Sequence, residues 1–338
     1  MKDAGFTRRG DPYESRNTAL FVEFPAGSPA TGNARTRHRH EREPAEGCLV
    51  PAHNDPDAER PMTPPPVTPD VSIITVSYRS ALEVLEAQRT LVEVMPRCEF
   101  EWIVVNHSPN DRFAPFHALA GRTHVVTQPN AGFGRGVNAG ARIARAPILL
   151  LANPDLHFHG DLLDGGIARM AADSNIGALG PRLLASDGTL QQSARRFYTW
   201  RDVLFARAPW RDRVDPPAFW RHHLMLDEHL DRATDVDWLL GAALFLRRSA
   251  LRDPNGAEPV FDPRYFLYFE DVDLAMDLWG RGWRVRYDPT LTASHAHVRA
   301  SRRLFSAPAR HHAASLMKFV GKWGGLRSRP MMHRPAGA

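Results

Sequence analysis

Five short stretches carry side chains whose types and spacing suit catalysis or ligand binding. Asn153-Pro154-Asp155 follows directly on the apolar run Ile148-Leu149-Leu150-Leu151. A carboxylate held at a strand end by a rigid proline suits a hard divalent cation. Mg2+ or Mn2+ takes oxygen ligands, commonly one or two carboxylates plus substrate phosphates. The competing reading is an Asx-Pro turn whose aspartate only caps a helix near 161. Farther along, Phe266-Leu267-Tyr268-Phe269-Glu270-Asp271-Val272-Asp273 sets three acids within four residues behind an aromatic run. A carboxylate there can take a proton from a hydroxyl as general base. The aromatics can desolvate it and raise its pKa, or they can simply be core. A helix starting near Glu270 would also favour acids in its first turn.

The segment 130–140 contains Asn130, Gly132, Gly134, Gly136, Asn138 and Gly140. Its glycines permit close backbone approach, and the N-terminus of the helix behind them favours phosphate. A flexible turn ahead of a small-residue helix explains it equally well. Trp238 opens an apolar stretch through Leu246, where its ring either floors a sugar subsite or belongs to the core. His295 and His297 close the set. Two residues apart in an extended chain, they point to opposite faces, so only one of them, His295, is taken as a metal-ligand candidate.

These residues need a frame. Val71-Ser72-Ile73-Ile74-Thr75-Val76, Trp102-Ile103-Val104-Val105, His124-Val125-Val126 and 148–151 read as strands. Between them, 80–95 reads as a helix with Leu82, Leu85, Leu91 and Val92 at helical spacing, and 134–145 as an Ala- and Gly-rich helix. The alternation predicts an α/β fold with a doubly wound, mostly parallel sheet. Ligands then lie beyond the carboxyl ends of the strands, where the polar residues sit. A further strand is expected over 283–287, ending in an Asp288-Pro289 turn.

Three regions are expected: a disordered Pro- and Arg-rich tail over 1–69, a folded domain over 70–325 and a second disordered tail over 326–338. The first segment shows no sustained helical or strand period. The 338 residues are 43% hydrophobic and 24% charged, as in ordinary globular proteins. Of the two cysteines, Cys48 falls in the segment read as disordered, which argues against a structural disulfide with Cys98 and suits a reducing cytosol. The net charge of +5 is spread along the chain, which favours a weak surface preference over a nucleic-acid groove. No apolar run approaches the roughly 20 residues that cross a bilayer. The expected location is cytoplasmic, with peripheral contact to the inner membrane face.

Taken in order, the segments resemble the family-2 glycosyltransferases of GT-A fold, most of all their bacterial rhamnosyltransferase branch. The resemblance covers about 71–301. It is carried by the opening strand, Gln128-Pro129-Asn130-Ala131-Gly132-Phe133, Asn138 and Asn153-Pro154-Asp155. Gly180-Pro181-Arg182-Leu183-Leu184 and Asp187-Gly188-Thr189-Leu190-Gln191 extend it. Gly241-Ala242, Phe261-Asp262, the run 268–273 and His295 complete it. It implies an inverting, metal-dependent transfer from a nucleotide-diphosphate sugar, such as dTDP-L-rhamnose, to a glycan or a polyprenyl-diphosphate-linked acceptor. By the same likeness Asp155 binds the metal, with Asn153 replacing the first acid of an Asp-x-Asp motif and His295 completing the site. Asp271 is the catalytic base and Glu270 its neighbour for acceptor or support. Asn130 and Asn138 lie near the donor. One departure stands out: Asn106-His107-Ser108 replaces a segment that usually opens with an aspartate contacting the base. Asn106 can hydrogen-bond a base but supplies no charge.

The basic residues Arg299, Arg302, Arg303, Arg310, His311, His312, Lys318 and Lys322 alternate with Leu304, Phe305, Leu316, Met317, Phe319 and Trp323. They suit an interfacial helix on anionic lipid, or an amphipathic helix that closes the core. Two other readings compete with the whole. A sugar-nucleotide-forming nucleotidyltransferase calls for a Gly-rich basic loop after the first strand, where Ser77-Tyr78-Arg79-Ser80 stands instead. A non-catalytic glycan- or nucleic-acid-binding module leaves the acids 270–273 unexplained.

Overall fold

Strands β1 (Val71–Ser77), β2 (Phe100–Asn106), β3 (Thr123–Thr127) and β4 (Ile148–Ala152) form where the apolar runs predict them, joined by helices α1 (Ala81–Val94) and α2 (Phe133–Ile143). The computed structural model describes residues 68–111, 113, 115–252, 259–295 and 307–326. Two units, Met1–Thr63 and Pro64–Ala338, make up the chain, and every described element belongs to the second. Most of the two expected tails, and His297, lie outside the described residues.

The four strands run parallel in the order β3-β2-β1-β4. In β1, β2 and β4 successive residues feed opposite cores, while β3 at the sheet edge stays largely exposed. Ile74, Val76, Ile103, Val105, Leu149 and Leu151 pack on the α2 side, while Val71, Ile73, Trp102, Val104, Ile148 and Leu150 pack on the α1 side. A strand covered on both faces reads as a continuous apolar run, which is why these were legible.

The second half adds β5 (Leu156–Phe158), α3 (Leu162–Ala172), β6 (Ile176–Leu184), β7 (Leu190–Gln191), β8 (Ala194–Arg195), α4 (Trp200–Ala206), α5 (Ala218–His223), β9 (Thr234–Asp235), β10 (Trp238–Leu239), β11 (Ala243–Arg247), α6 (Glu270–Gly280), β12 (Arg284–His295) and α7 (Ala307–Trp323). The sheet continues from β4 as β11-β6-β12-β5, making it mixed and mostly parallel. Strand β11 is antiparallel to both neighbours, and β5 is antiparallel to β12. Strands β8 and β10 form a small separate pair.

Two expectations are corrected. On α1 the buried stripe is Val84, Ala87, Gln88 and Leu91, while Leu82 and Leu85 face solvent. Small Ala87 and polar Gln88 hide that stripe from an apolar count. Gln88 is satisfied there, donating to Thr123 Oγ1 at 3.3 Å and accepting from the Phe116 N–H at 2.8 Å. Asp288-Pro289 is not a turn that ends a strand. Strand β12 runs through it with a register shift between Asp288 and Thr292, and so reaches His295. Proline lacks a ladder donor and is tolerated at such a bulge.

Helix α7 is the core-closing alternative rather than a free interfacial helix. Leu316 and Phe319 are buried, Ser315 Oγ donates to the Leu267 carbonyl at 2.8 Å, and Lys318 Nζ donates to the Arg264 carbonyl at 2.7 Å. Lys322 and Trp323 both bind Asp273, at 2.6 and 2.8 Å. Arg299, Arg302, Arg303, Leu304 and Phe305 lie outside the described residues. Among the described residues no helix is long and apolar enough to cross a membrane.

Candidate active site

Asp155 stands between β4 and β5, and the antiparallel pairing of β5 with β12 sets His295 opposite Leu156, the next residue. The His295 Nε2 atom is 3.3 Å from Asp155 Oδ1 and 2.9 Å from Asn153 Nδ2. Its Nδ1 atom is 3.0 Å from Gln191 Oε1. A carboxamide oxygen only accepts, so Nδ1 carries a proton and Nε2 is left to meet the carboxylate side. With Nδ1 as the donor, Nε2 accepts from the Asn153 amide N–H, and the Asp155 carboxylate lies on the same side of the ring. His295 is buried, while Asp155 keeps access to solvent. Among the described residues no three His, Cys, Asp or Glu side chains converge on one ion position. A cation here would therefore rest on Asp155 and His295, with Asn153 alongside and substrate oxygens filling the remaining positions. That donor set fits Mg2+ or Mn2+, which keep such mixed shells.

The acids of α6 have separate environments. Asp273 is buried and tied to Tyr265, Lys322 and Trp323, a structural anchor. Asp271 Oδ1 accepts from the Val272 N–H at 2.9 Å, and Oδ2 from the Gly241 N–H at 3.3 Å. Burial pushes the Asp271 carboxyl above the ordinary aspartate range, against those donors and the charge of Arg195. Glu270 is raised too, first by burial and then by the Asp271 charge, and its buried Oε2 lacks a hydrogen-bond partner. Two neighbouring buried acids shifted upward at a helix start make this segment a candidate proton-accepting site. The chain enters this helix through Tyr268 and Phe269, both left-handed at φ 70° and 69°. Non-glycine residues adopt this conformation at a cost of about 1–3 kcal/mol each, sustained only where packing enforces it. Phe269 is buried against Tyr198, Phe319 and His312.

The two groups of residues share one support. Gly241 donates to Asp271, and the carbonyl of the next residue, Ala242, accepts from the Asn153 N–H at 2.9 Å. The turn between β10 and β11 thus touches both Asp271 and the backbone of Asn153, at the carboxyl end of β4.

Five other sequence candidates take structural roles. Gly132, at φ 101°, makes its close approach to the chain itself: an added Cβ would lie 2.3 Å from the Phe266 carbonyl oxygen. That oxygen also receives the Phe133 N–H, and Asn130 Oδ1 receives the Gly132 N–H. The amides of Gly132 and Phe133 are thereby occupied. Asn138 is buried with both ends of its amide on Phe261, at 2.7 Å to the carbonyl and 2.9 Å from the N–H. Asn106 accepts from the Ser108 N–H at 2.8 Å and donates to the Asp111 carbonyl at 3.4 Å, closing its own loop. Trp238 is buried, its ring beside Tyr198 and its N–H donating to the Arg196 carbonyl at 3.0 Å, so it offers no face to a sugar. Replacing Asn138 by Ala is expected to destabilise the fold by about 1–3 kcal/mol per orphaned Phe261 group, read as a lower urea midpoint at unchanged slope.

Two residues of the site went unassigned in the sequence. Gln191 orients His295. The Arg195 guanidinium lies 5.7 Å from the Trp238 ring centroid and donates to the Gln192 carbonyl at 3.0 Å, placing a positive charge within reach of Asp271. Only the type of each residue was visible beforehand, not the partner.

Residues 72–232 match the family model described as Glycosyl transferase family 2. An N-acetylglucosaminyl-diphospho-decaprenol L-rhamnosyltransferase of Mycobacterium tuberculosis, in two strains, is 29% identical over 218 residues, 62% of this chain and 66% of its own. The chain thus spans just under two thirds of that relative's length. The rhamnosyltransferase WbbL of Escherichia coli K12 is 35% identical over 89 residues, 26% of this chain and 32% of its own. The crystal structure of GalNAc-T7 with UDP, GalNAc and Mn2+ superposes with a TM-score of 0.51 at 13% identity, covering 76% of this chain and 48% of that one, a likeness of fold. With a mixed, mostly parallel sheet of the GT-A kind and rhamnosyltransferases among its relatives, the chain carries over residues 72–232 a domain similar to glycosyl transferase family 2.

Proposed function

We propose that this chain is an inverting glycosyltransferase, using a nucleoside-diphosphate sugar as donor and a hydroxyl of a polyprenyl-diphosphate-linked glycan as acceptor. The observation that supports this reading is the contact of Asp271 with Gly241 and of Asn153, which bonds His295 beside Asp155, with the adjoining Ala242. The names of the relatives suggest L-rhamnose as the sugar and a polyprenyl diphosphate as the acceptor's anchor. The neighbour solved with UDP and Mn2+ adds a nucleotide donor and a divalent ion to what the fold accommodates.

Asp271 accepts the proton of the acceptor hydroxyl as that oxygen bonds to the anomeric carbon. The bond from the anomeric carbon to the diphosphate oxygen breaks in the same displacement, and one displacement inverts the anomeric centre. Asp155 and His295 face the leaving diphosphate, and Arg195 adds a fixed positive charge nearby. A divalent cation held by Asp155 and His295 would neutralise charge building on that diphosphate. The purified chain is expected to gain thermal stability from one nucleoside-diphosphate sugar only when Mg2+ or Mn2+ is present, because a ligand specific to the folded state raises its melting temperature. It should then transfer that sugar to a short-chain prenyl-diphosphate acceptor. A product of retained configuration, or stabilisation by a donor indifferent to metal, overturns the reading.

A further inference from the structure

Exposed apolar side chains gather on the segment between β8 and β9. Helix α4 is opened by a capping box in which Asp202 Oδ2 accepts from the Thr199 N–H at 2.7 Å. Val203 and Phe205 point inward, while Trp200 and Leu204, four residues apart on the opposite side, are 51% and 71% exposed. Trp210 stands on edge against Phe205, with ring centroids 5.7 Å apart, and is itself 52% exposed; Val214 follows at 47%. Of the tryptophans among the described residues, only Trp200 and Trp210 are exposed. Arg201, Arg207, Arg211 and Arg213 are interleaved with these side chains. Asp202 is spent on the helix cap, and Arg201 and Arg213 face solvent.

We infer that the α4 segment, through Trp200, Leu204, Trp210, Arg201 and Arg213, docks the protein on an anionic bilayer surface. Tryptophan settles where one end of its ring is apolar and the other wet, at headgroup depth. Arginines beside it meet lipid phosphate, and each basic residue near such a surface strengthens the attraction. Tryptophan and arginine also suit a protein interface, and what favours lipid here is the pairing of solvent-facing Arg201 and Arg213 with exposed rings at the end of the chain's proposed lipid-linked acceptor site. Helix α7, the other basic and apolar stretch of the described chain, turns its apolar side inward. The α4 segment is rooted in the active site. Tyr198, immediately before the cap, packs on Trp238 and on Phe269, the residue preceding Glu270. A patch so rooted sets the base beside the headgroup layer, where a lipid-linked hydroxyl is presented. The inference deepens the lipid-linked acceptor reading and rests on it for its purpose, but its test requires no transfer.

The full chain is mixed with phosphatidylcholine vesicles with and without phosphatidylglycerol, free of any polyprenyl lipid, and sedimented. The wild type should pellet with the anionic vesicles and be released by salt. The variants W200S/L204S/W210S and R201E/R213E should each partition about tenfold less. Their melting temperatures and their transfer to a water-soluble short-chain acceptor should match the wild type. A wild type that ignores anionic vesicles overturns the inference, as do variants that pellet like it. So does a patch whose removal only converts a dimer to monomer in sedimentation velocity. Transfer without vesicle binding removes the docking surface alone. Vesicle binding without transfer to any acceptor removes the proposed activity and leaves the surface standing.

Discussion

Replacing Asp271 by Asn lowers kcat by about 10²–10⁴-fold, the range expected when a positioned general base is lost. Donor binding should survive, because the Asp155-His295 cluster does not depend on the Asp271 charge. The pH profile separates this from a general disturbance of the site. Burial holds the Asp271 carboxyl above its ordinary range, and a base works only when deprotonated. In the wild type, kcat/KM therefore falls as pH drops through a value above the roughly 3.9 of a free aspartate, and in the Asn variant that acid limb disappears. Stability moves the other way. A carboxyl whose folded pKa exceeds its unfolded one contributes fully below the unfolded value and loses its contribution as pH rises through the folded value. The uncharged asparagine escapes that loss. The variant should thus melt higher than the wild type at neutral and alkaline pH, and the gap should close on acidification. A variant that keeps its rate, or one that is inactive only because it melts lower, removes Asp271 as the base.

Which parts of this arrangement the sequence could disclose follows from the range of the interactions involved. Strands β1, β2 and β4 were readable because burial on both faces writes itself as an unbroken apolar run. The phase of α1 was not, because Gln88 is buried for its hydrogen bonds and outweighs the apolar Leu82. The acids at 270–273 were visible as a cluster, but the division of labour among them was not. Asp273 is neutralised by Lys322, 49 residues away, whereas Asp271 meets only backbone amides and the field of Arg195. Amide side chains were the least legible. Asn106, Asn130 and Asn138 have the right chemistry to hold a nucleotide and the same chemistry to close a turn, and the structure uses all three on its own backbone. Trp238 illustrates the same ambiguity for an aromatic: stacking surface and core residue look identical until the neighbours are known. His295 was legible as a type and as a place in the order of segments. Its meeting with Asp155 depends on β5 pairing with β12, a contact between residues some 140 positions apart that no local pattern encodes.

That meeting supports the second large effect. Asp155→Asn keeps the shape of the side chain but removes the one negative charge of the pair that would face a cation. The fold should tolerate the change, since Asp155 is partly solvent-exposed and its neighbours in β4 and β5 are held by backbone ladders. Donor binding should not tolerate it. Thermal stabilisation by donor plus Mn2+ is expected to vanish, while any small stabilisation by donor alone remains. Mn2+ titrated through its EPR signal, with donor present, should bind far more weakly. Gln191→Leu offers a graded version of the same test. It touches neither ion nor donor, but it removes the acceptor that holds the Nδ1 proton of His295 in place. Partners one step behind a metal ligand typically contribute about 10–100-fold to affinity. Mn2+ affinity should fall by that factor in Gln191→Leu, with the melting temperature of the free protein nearly unchanged. Should Asp155→Asn bind Mn2+ and donor as the wild type does, the Asp155-His295 contact only orders the β5–β12 edge. The diphosphate would then have to be held elsewhere, with Arg195 as the nearest positive charge to Asp271 on which to build.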